Sequence, residues 1–426
     1  MNSAVSSPSS VSDKNGPFRV MVVDDSAIIR GFLCRYLSED PMIDVVTTAN
    51  NGVVALRQLA QHDIEVVVLD IEMPEMDGMT ALPKMIDMKP DLQVVMASTL
   101  TRKNAEVSLR ALQRGAVDYV PKPETARSVN ANIDFRRELV EKVKAWASRR
   151  RTKLGHGQPT TETASGAAAK TQPSFATPAR PSATGFVSAR RPAATIDGLS
   201  AKGATAAPTA RASTNRAGTP AAAPIVLRKG SRRKPKILLI GSSTGGPQAL
   251  MKFFKGFTKP PSVPVLITQH MPATFTAILA DHLAQATGWP ACEGSDGMIL
   301  KAGQIYVAPG GRHMEVANIE NQLVVKLTDN PPENFCRPAV DPLLRSASKI
   351  FGEQILAVIL TGMGHDGLKG AREITKDGAT LLAQDEETSV VWGMPGAVAG
   401  AGLCTEILPI TQIGAAAAKR LQGGIA

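Results

Sequence analysis

At 426 residues the chain exceeds one ordinary domain, and with 43% hydrophobic residues it has material for more than one core, which excludes wholesale disorder. The net charge of +10 is local: from Arg149 to Lys236 there are 17 Lys and Arg against two acids, Glu162 and Asp197, so everything outside that segment is net acidic. A specific nucleic-acid-binding fold is therefore not implied, and no run reaches the roughly 18 apolar residues a membrane-inserted helix needs.

In chain order, MNSAVSSPSSVSDKNG lacks the charged start and apolar middle of a signal peptide, so residues 1–17 read as a disordered tail. Short β-branched runs then alternate with amphipathic stretches. Arg19–Val23, Ile43–Thr48, Glu65–Leu69, Leu92–Ala97 and Val117–Val120 read as buried parallel strands, with helices from near Ser26, Gly52, Gly78 and Thr101 and a last one over Asn132–Trp146. This is a doubly wound α/β domain over 18–138, whose ligands belong at the carboxyl ends of the strands. Residues 139–235 take in the end of the last helix and then a segment rich in Ala, Thr, Pro, Ser and Gly. Such a composition cannot bury enough surface to offset its chain entropy, which makes it a flexible basic linker.

A second α/β domain is expected over 236–426, mostly parallel and Rossmann-like. Its strands are Lys236–Ile240, Val263–Thr268, Gln304–Val307 and Gln354–Leu360, and its helices lie near Pro247–Phe254, Phe275–Ala286, Asp341–Phe351 and Gly367–Lys376. His313–Val316 and Gln322–Leu327 suggest a hairpin that would make the sheet mixed. Cys34, Cys292, Cys336 and Cys404 show no CxxC spacing, so reduced thiols in a cytoplasmic protein are expected.

Polar residues stand where the strands of the first domain end: Asp24 and Asp25, Asp70, Ser98 with Thr99, and Lys122. Singly, each is an ordinary turn residue. Together they set three carboxylates, a hydroxyl and an ammonium on one rim. Clustered carboxylates repel unless a hard cation sits among them, which suggests Mg²⁺, with Asp70 as a phosphoryl acceptor and Lys122 neutralising the developing charge. The segments VVDDS, VVVLDIEMPEMDG, MAST and DYVPKP resemble the two-component receiver family. The resemblance implies phosphorylation of Asp70 by a chemotaxis histidine kinase. It implies Mg²⁺ held by Asp25, Asp70 and the Glu72 carbonyl, with Asp24 assisting through water. Ser98 would bind the phosphoryl group, Lys122 would pair with it, the packing near Tyr119 would switch, and Pro121 would be cis.

In the second domain, Gly241-Ser242-Ser243-Thr244-Gly245 fits G-x-S-x-G between a strand and a helix. A glycine-rich phosphate loop fits equally well on that motif alone. His270 and Asp366 follow later strands, so serine, histidine and aspartate can meet at one rim as nucleophile, general base and orienting carboxylate. A serine hydroxyl is protonated at neutral pH and needs a neutral imidazole to accept its proton. The order Ser…His…Asp is not that of the α/β-hydrolases.

That order, with ILLIGSSTGGPQAL, ITQHMP, YVAPGGRHM, RPAVD, ILTGMGHDG and AQDEETSVVWGMPGAV, resembles the chemotaxis-type protein-glutamate methylesterases from about Lys236 to Leu421. The resemblance implies a triad of Ser243 (not Ser242), His270 and Asp366, oxyanion donors near Thr244 and Met363, and no cofactor in this half. It implies glutamate methyl esters on the cytoplasmic helices of chemoreceptors as substrate, with deamidation of receptor glutamines by the same chemistry. His365 and His313 are rival candidates for the base. The expected control is a receiver that covers the Ser243 rim until Asp70 is phosphorylated. Competing readings are a DNA-binding regulator, a nucleotide-dependent oxidoreductase, and a phosphate sink with an inactive output domain.

Overall fold

A computed structural model of the chain describes residues 15–99, 101–122, 129–156 and 225–423. Most of the expected tail, and the linker over 157–224, lie outside these residues. The first domain runs β1 (Phe18–Val23), α1 (Ala27–Ser38), β2 (Ile43–Ala49), α2 (Gly52–Gln61), β3 (Val66–Asp70), α3 (Gly78–Met88), β4 (Gln93–Ser98), α4 (Arg102–Gln113), β5 (Asp118–Pro121) and α5 (Val129–Leu154). The strands form one parallel sheet in the order β2-β1-β3-β4-β5. β3, VVVLD, is buried along its whole length, as expected for a strand covered on both faces. Side chains cap the helices that leave the rim: Ser26 accepts from Ile29 N, Asp77 from Thr80 N, and Thr101 from Asn104 N.

Two expectations are corrected here. α5 continues past Trp146 because Arg151, buried, bonds Glu65 with two nitrogens and also donates to the carbonyls of Gly16 and Pro17. Pro121 is not cis. It closes β5 in extended pairing with Ser98, and the one cis peptide among the described residues is Arg337–Pro338.

The second domain runs β6 (Ile237–Ser242), α6 (Gly246–Phe254), β7 (Val265–Gln269), α7 (Ala273–Thr287), β8 (Ala291–Glu293), β9 (Ile305–Val307), β10 (His313–Ile319), β11 (Gln322–Thr328), α8 (Val340–Phe351), β12 (Ile355–Ile359), α9 (Leu368–Lys376), β13 (Thr380–Gln384), α10 (Met394–Gly400), β14 (Glu406–Leu408) and α11 (Ile410–Leu421). Seven strands pair in the order β14-β13-β12-β6-β7-β9-β8, every pair parallel. The hairpin exists, but it does not mix the sheet. β10 and β11 form their own antiparallel pair, tied to α8 by Val316 N donating to Ser346 Oγ. Their outer residues stay exposed, whereas β6, β7 and β12 are buried throughout.

The order in which strands are added to the seven-stranded sheet reverses at β6, with β7 on one side and β12 on the other. In such a sheet the crevice opens beyond the carboxyl ends at this point. Register aligns those ends: Ser242 lies opposite Gln269, and Gly241 opposite Ile359.

Candidate active sites at two sheet rims

On the first rim, Asp24, Asp25 and Asp70 bring carboxylate oxygens within 4.8 Å of one another. Lys122 Nζ lies 2.7 Å from Asp70 Oδ1 and 2.6 Å from Asp24 Oδ2. The second contact is ionic rather than directional, since Asp24 Oδ2 is buried without a hydrogen bond. Burial pushes the Asp70 carboxyl above its usual range, while Lys122 pulls it back down. Asp70 Oδ1 also accepts from Ile71 N at 2.7 Å. Glu72 is exposed, its side chain 3.3 Å from Lys103 Nζ. Ser98 does not face an open rim here: its hydroxyl bonds Ser108 Oγ on α4 at 2.8 Å. The donor set, hard oxygens in a concave cluster, suits a divalent cation that prefers oxygen ligands.

On the second rim, Ser242 ends β6 with its hydroxyl buried and donated to Gln269 Oε1 at 2.6 Å, while Ser243 stands one residue beyond and is partly exposed. The left-handed residue of this turn is Gly245 (φ 73), not the serine. A Cβ on Gly245 would come within 2.4 Å of Val390 Cγ2. The loop after β12 presses from the other side: a Cβ on Gly362 would lie 2.9 Å from Ser243 Cβ. The backbone amides of Thr244 and Met363 make no hydrogen bond among the described residues. Thr361 Oγ1 ties the two loops by donating to the Thr244 carbonyl at 3.0 Å.

His270 Nε2 lies 2.8 Å from Asp366 Oδ2. Asp366 is buried and receives four further donors: Val340 N (2.6 Å), Asp341 N (3.2 Å), Gly367 N (2.8 Å) and Asn334 Nδ2 (2.9 Å). Burial alone would raise its pKa. His270 and the first amides of α8 outweigh that and hold it at about 2. The other imidazole nitrogen, Nδ1, faces Cys336 Sγ at 3.3 Å. Burial disfavours the charged ring, yet Cys336 and Asp366 on its two nitrogens raise the His270 pKa to about 10. Among the described residues no hydrogen bond joins Ser243 Oγ to His270.

The rival histidines are placed elsewhere. His313 is buried, its Nδ1 accepting from Ala339 N and its Nε2 meeting the Pro331 carbonyl, so both nitrogens serve the backbone. His365 is exposed, and its side chain makes no hydrogen bond or ion pair among the described residues. Sequence reasoning missed Cys336 and Asn334. Their one signal was proximity to the RPAVD segment.

The receiver-like domain packs against this second rim. Tyr119 stacks on Phe275 of α7 (ring centroids 4.5 Å, interplanar 8°), and Gln248 of α6 donates to the Val117 carbonyl at 2.8 Å. Arg149 donates to the Ser389 carbonyl, and the Arg137 guanidinium lies 4.5 Å from the Phe335 ring centre. Val117, Trp146, Gly245, Gln248, Thr361 and Val390 line a cavity of about 220 Å³ between the domains, directly beside the Ser243 turn.

Comparison with known proteins assigns a family to each domain. Residues 20–134 match the response regulator receiver domain, and residues 238–417 match the CheB methylesterase domain. The chain is 48% identical to the protein-glutamate methylesterase/protein-glutamine glutaminase 1 of Rhodospirillum rubrum over 94% of each chain. The chain belongs to the CheB methylesterase family. The corresponding Paramagnetospirillum magneticum protein is 46% identical over 96% of this chain and 97% of its own. The crystal structure of the Thermotoga maritima CheB methylesterase catalytic domain is 38% identical, with a TM-score of 0.43, covering 44% of this chain and 99% of its own. No helix among the described residues is long and apolar enough to cross a membrane.

Proposed function

We propose that this CheB-family chain is a phosphorylation-activated serine esterase that hydrolyses glutamate methyl esters on the cytoplasmic helices of chemoreceptors. The observation that carries the reading is the His270–Asp366 pair, 2.8 Å apart, on the rim where Ser243 emerges. Ser243 Oγ attacks the ester carbonyl as His270 takes its proton. The amides of Thr244 and Met363 receive the oxyanion, and methanol leaves with the proton that His270 returns. Water, deprotonated by the same imidazole, then releases glutamate. A glutamine side chain enters the same sequence with ammonia as the leaving group.

In this arrangement both imidazole nitrogens of His270 face other partners than Ser243. A base at about 10 is protonated at neutral pH, and its Nδ1 faces Cys336 rather than the serine. Turnover requires His270 to exchange Cys336 for Ser243. The receiver is the control. A chemotaxis histidine kinase phosphorylates Asp70, beside which Asp25, Asp70 and the Glu72 carbonyl, assisted by Asp24, would hold Mg²⁺. Bound there, the cation would supply positive charge against the phosphoryl oxygens. Lys122 pairs with the new phosphoryl group, and Ser98 leaves Ser108 to bond it. The Tyr119–Phe275 stack then loosens and the Ser243 rim opens. The chain divides accordingly into a receiver (18–138, with its last helix running on to Leu154), a linker after that helix up to residue 235, and an esterase (236–426).

The test is methanol release from methylated chemoreceptor membranes, with and without acetyl phosphate, for the full chain and for Ser243→Ala, His270→Ala and Asp366→Asn. Loss in all three folded variants, with stimulation of the parent chain by acetyl phosphate, is the expected result. Retained turnover in Ser243→Ala removes the nucleophile from the scheme.

A further inference from the structure

Two buried carboxylates meet behind His270. Asp366 Oδ2 faces the imidazole, and Asp341, on the first turn of α8, presents its own carboxylate to the same interior. Asp341 Oδ1 accepts from Gly370 N at 2.7 Å. Between the two carboxylates stands one side-chain amide: Asn334 Nδ2 lies 2.9 Å from Asp366 Oδ1 and 3.0 Å from Asp341 Oδ2. An amide nitrogen carries two protons and cannot lose them at ordinary pH, so it can serve both acceptors at once. A hydroxyl has a single proton and could serve only one of them, and a water could donate to both but could also turn and accept.

The turn that delivers this amide is costly in itself. Glu333 and Cys336 exchange both backbone hydrogen bonds, and the two residues between them, Asn334 (φ 51) and Phe335 (φ 64), are both left-handed. Paired positive φ values mark a type I′ turn, which favours Asn at its first central position and Gly, not Phe, at its second. Glu333 is anchored by two hydrogen bonds from Arg345 of α8. From this one turn, Asn334 points at Asp366 and Asp341, and Cys336 reaches His270 Nδ1.

We propose that Asn334 is a positioning residue for the esterase: its amide bridges Asp366 and Asp341, so that Asp366 stays ionised and aimed at His270 despite a second buried carboxylate beside it. The inference rests on the reading of Asp366 as the carboxylate of the triad. Asp341 is raised by burial, and next by its neighbours it is pulled down through Gly370 N and pushed up by Asp366, so the two acids sense each other. The charged and titratable groups around the pair are His270 after β7, Cys336 and Glu333 on the turn, and Arg345 and Asp341 on α8. Without the bridge, both carboxylates lose a donor and their repulsion is unrelieved. A proton then enters the pair, and His270 loses its fixed partner.

Asn334→Gly is the informative variant, because glycine accepts the left-handed backbone and only the amide is removed. With the full chain, acetyl phosphate and methylated receptor membranes, kcat is expected to fall about 10²-fold with KM unchanged. The His270 titration followed by NMR should move down from its parent value. Asn334→Gly combined with Asp341→Asn removes the repelling charge and should regain part of the loss. A folded Asn334→Gly protein with parent kcat and parent His270 titration overturns the inference, as does a double variant no better than the single. Ser243→Ala in the same assay separates the two readings. If it is inactive while Asn334→Gly is normal, only the role of Asn334 fails. If it still turns over, the triad fails and this inference falls with it.

Discussion

The two rims share a topology and finish it in opposite ways. In the receiver, Ser26, Asp77 and Thr101 cap the helices that leave the rim, and Asp24 and Asp70 there take one local amide each, from Ser26 and Ile71, and share Lys122. In the esterase, α6, α7 and α9, the helices that follow Ser243, His270 and Asp366, start without a side-chain cap. The uncapped start of α8 is satisfied by Asp366 itself, which takes the amides of Val340 and Asp341. One rim gathers negative charge, a donor set that suits a divalent cation. The other leaves the amides of Thr244 and Met363 without an acceptor among the described residues and spends one helix start on its own carboxylate. A shared fold therefore supports phosphoryl transfer or acyl transfer according to which groups close its helix starts.

Ser243→Ala would break this contrast most severely. Turnover of methylated receptors should drop on the order of 10⁴-fold or more while labelling of Asp70 by acetyl phosphate is unchanged, measured on the same sample. Next comes the receiver rim. Asp70→Asn, or chelation of divalent cations from the parent protein, should remove the stimulation by acetyl phosphate and leave the basal rate. Acceleration that persists under chelation would detach the acidic rim from control.

The pH profile sharpens the comparison further. With His270 held at about 10, the neutral fraction grows about tenfold per pH unit below that value, so the basal rate should climb steeply from pH 7 to 9. Cys336→Ala removes one of the two groups that raise the imidazole, so the same curve should move to lower pH. A profile that is flat over this range would mean that His270 is not the base. The smallest effect belongs to the interface. Gln248→Ala loses one hydrogen bond to Val117, about 1 kcal/mol, and should raise the unphosphorylated rate roughly fivefold. No rise would place the control elsewhere.

The site was readable because a parallel sheet gives the rim a sequence address: the residue just past each buried run. Ser243 after β6 and His270 after β7 follow that rule, and Asp70 misses it by one place as the last residue of β3. Asn334 and Cys336 obey no such rule, lying in a turn between a hairpin and a helix where periodicity says nothing. The sheet membership of β10 and β11 was equally hidden, since alternation identifies a half-buried hairpin but not its neighbours. α5 ran longer than expected because the partner that makes Arg151 helical is Glu65, 86 positions earlier, and Arg149–Arg151 in isolation look like the start of a basic tether.

That lock between Arg151 and Glu65 bears on where the chain can be severed. A protease acting on the polypeptide around residue 140 would strip both Arg151 and Arg150 from Glu65, stranding an anion in the interior at a cost of about 3–5 kcal/mol. Cleavage after residue 156 would leave the fragment its own counter-ion. Limited digestion should accordingly release an N-terminal piece some eighteen residues longer than the 18–138 boundary implies.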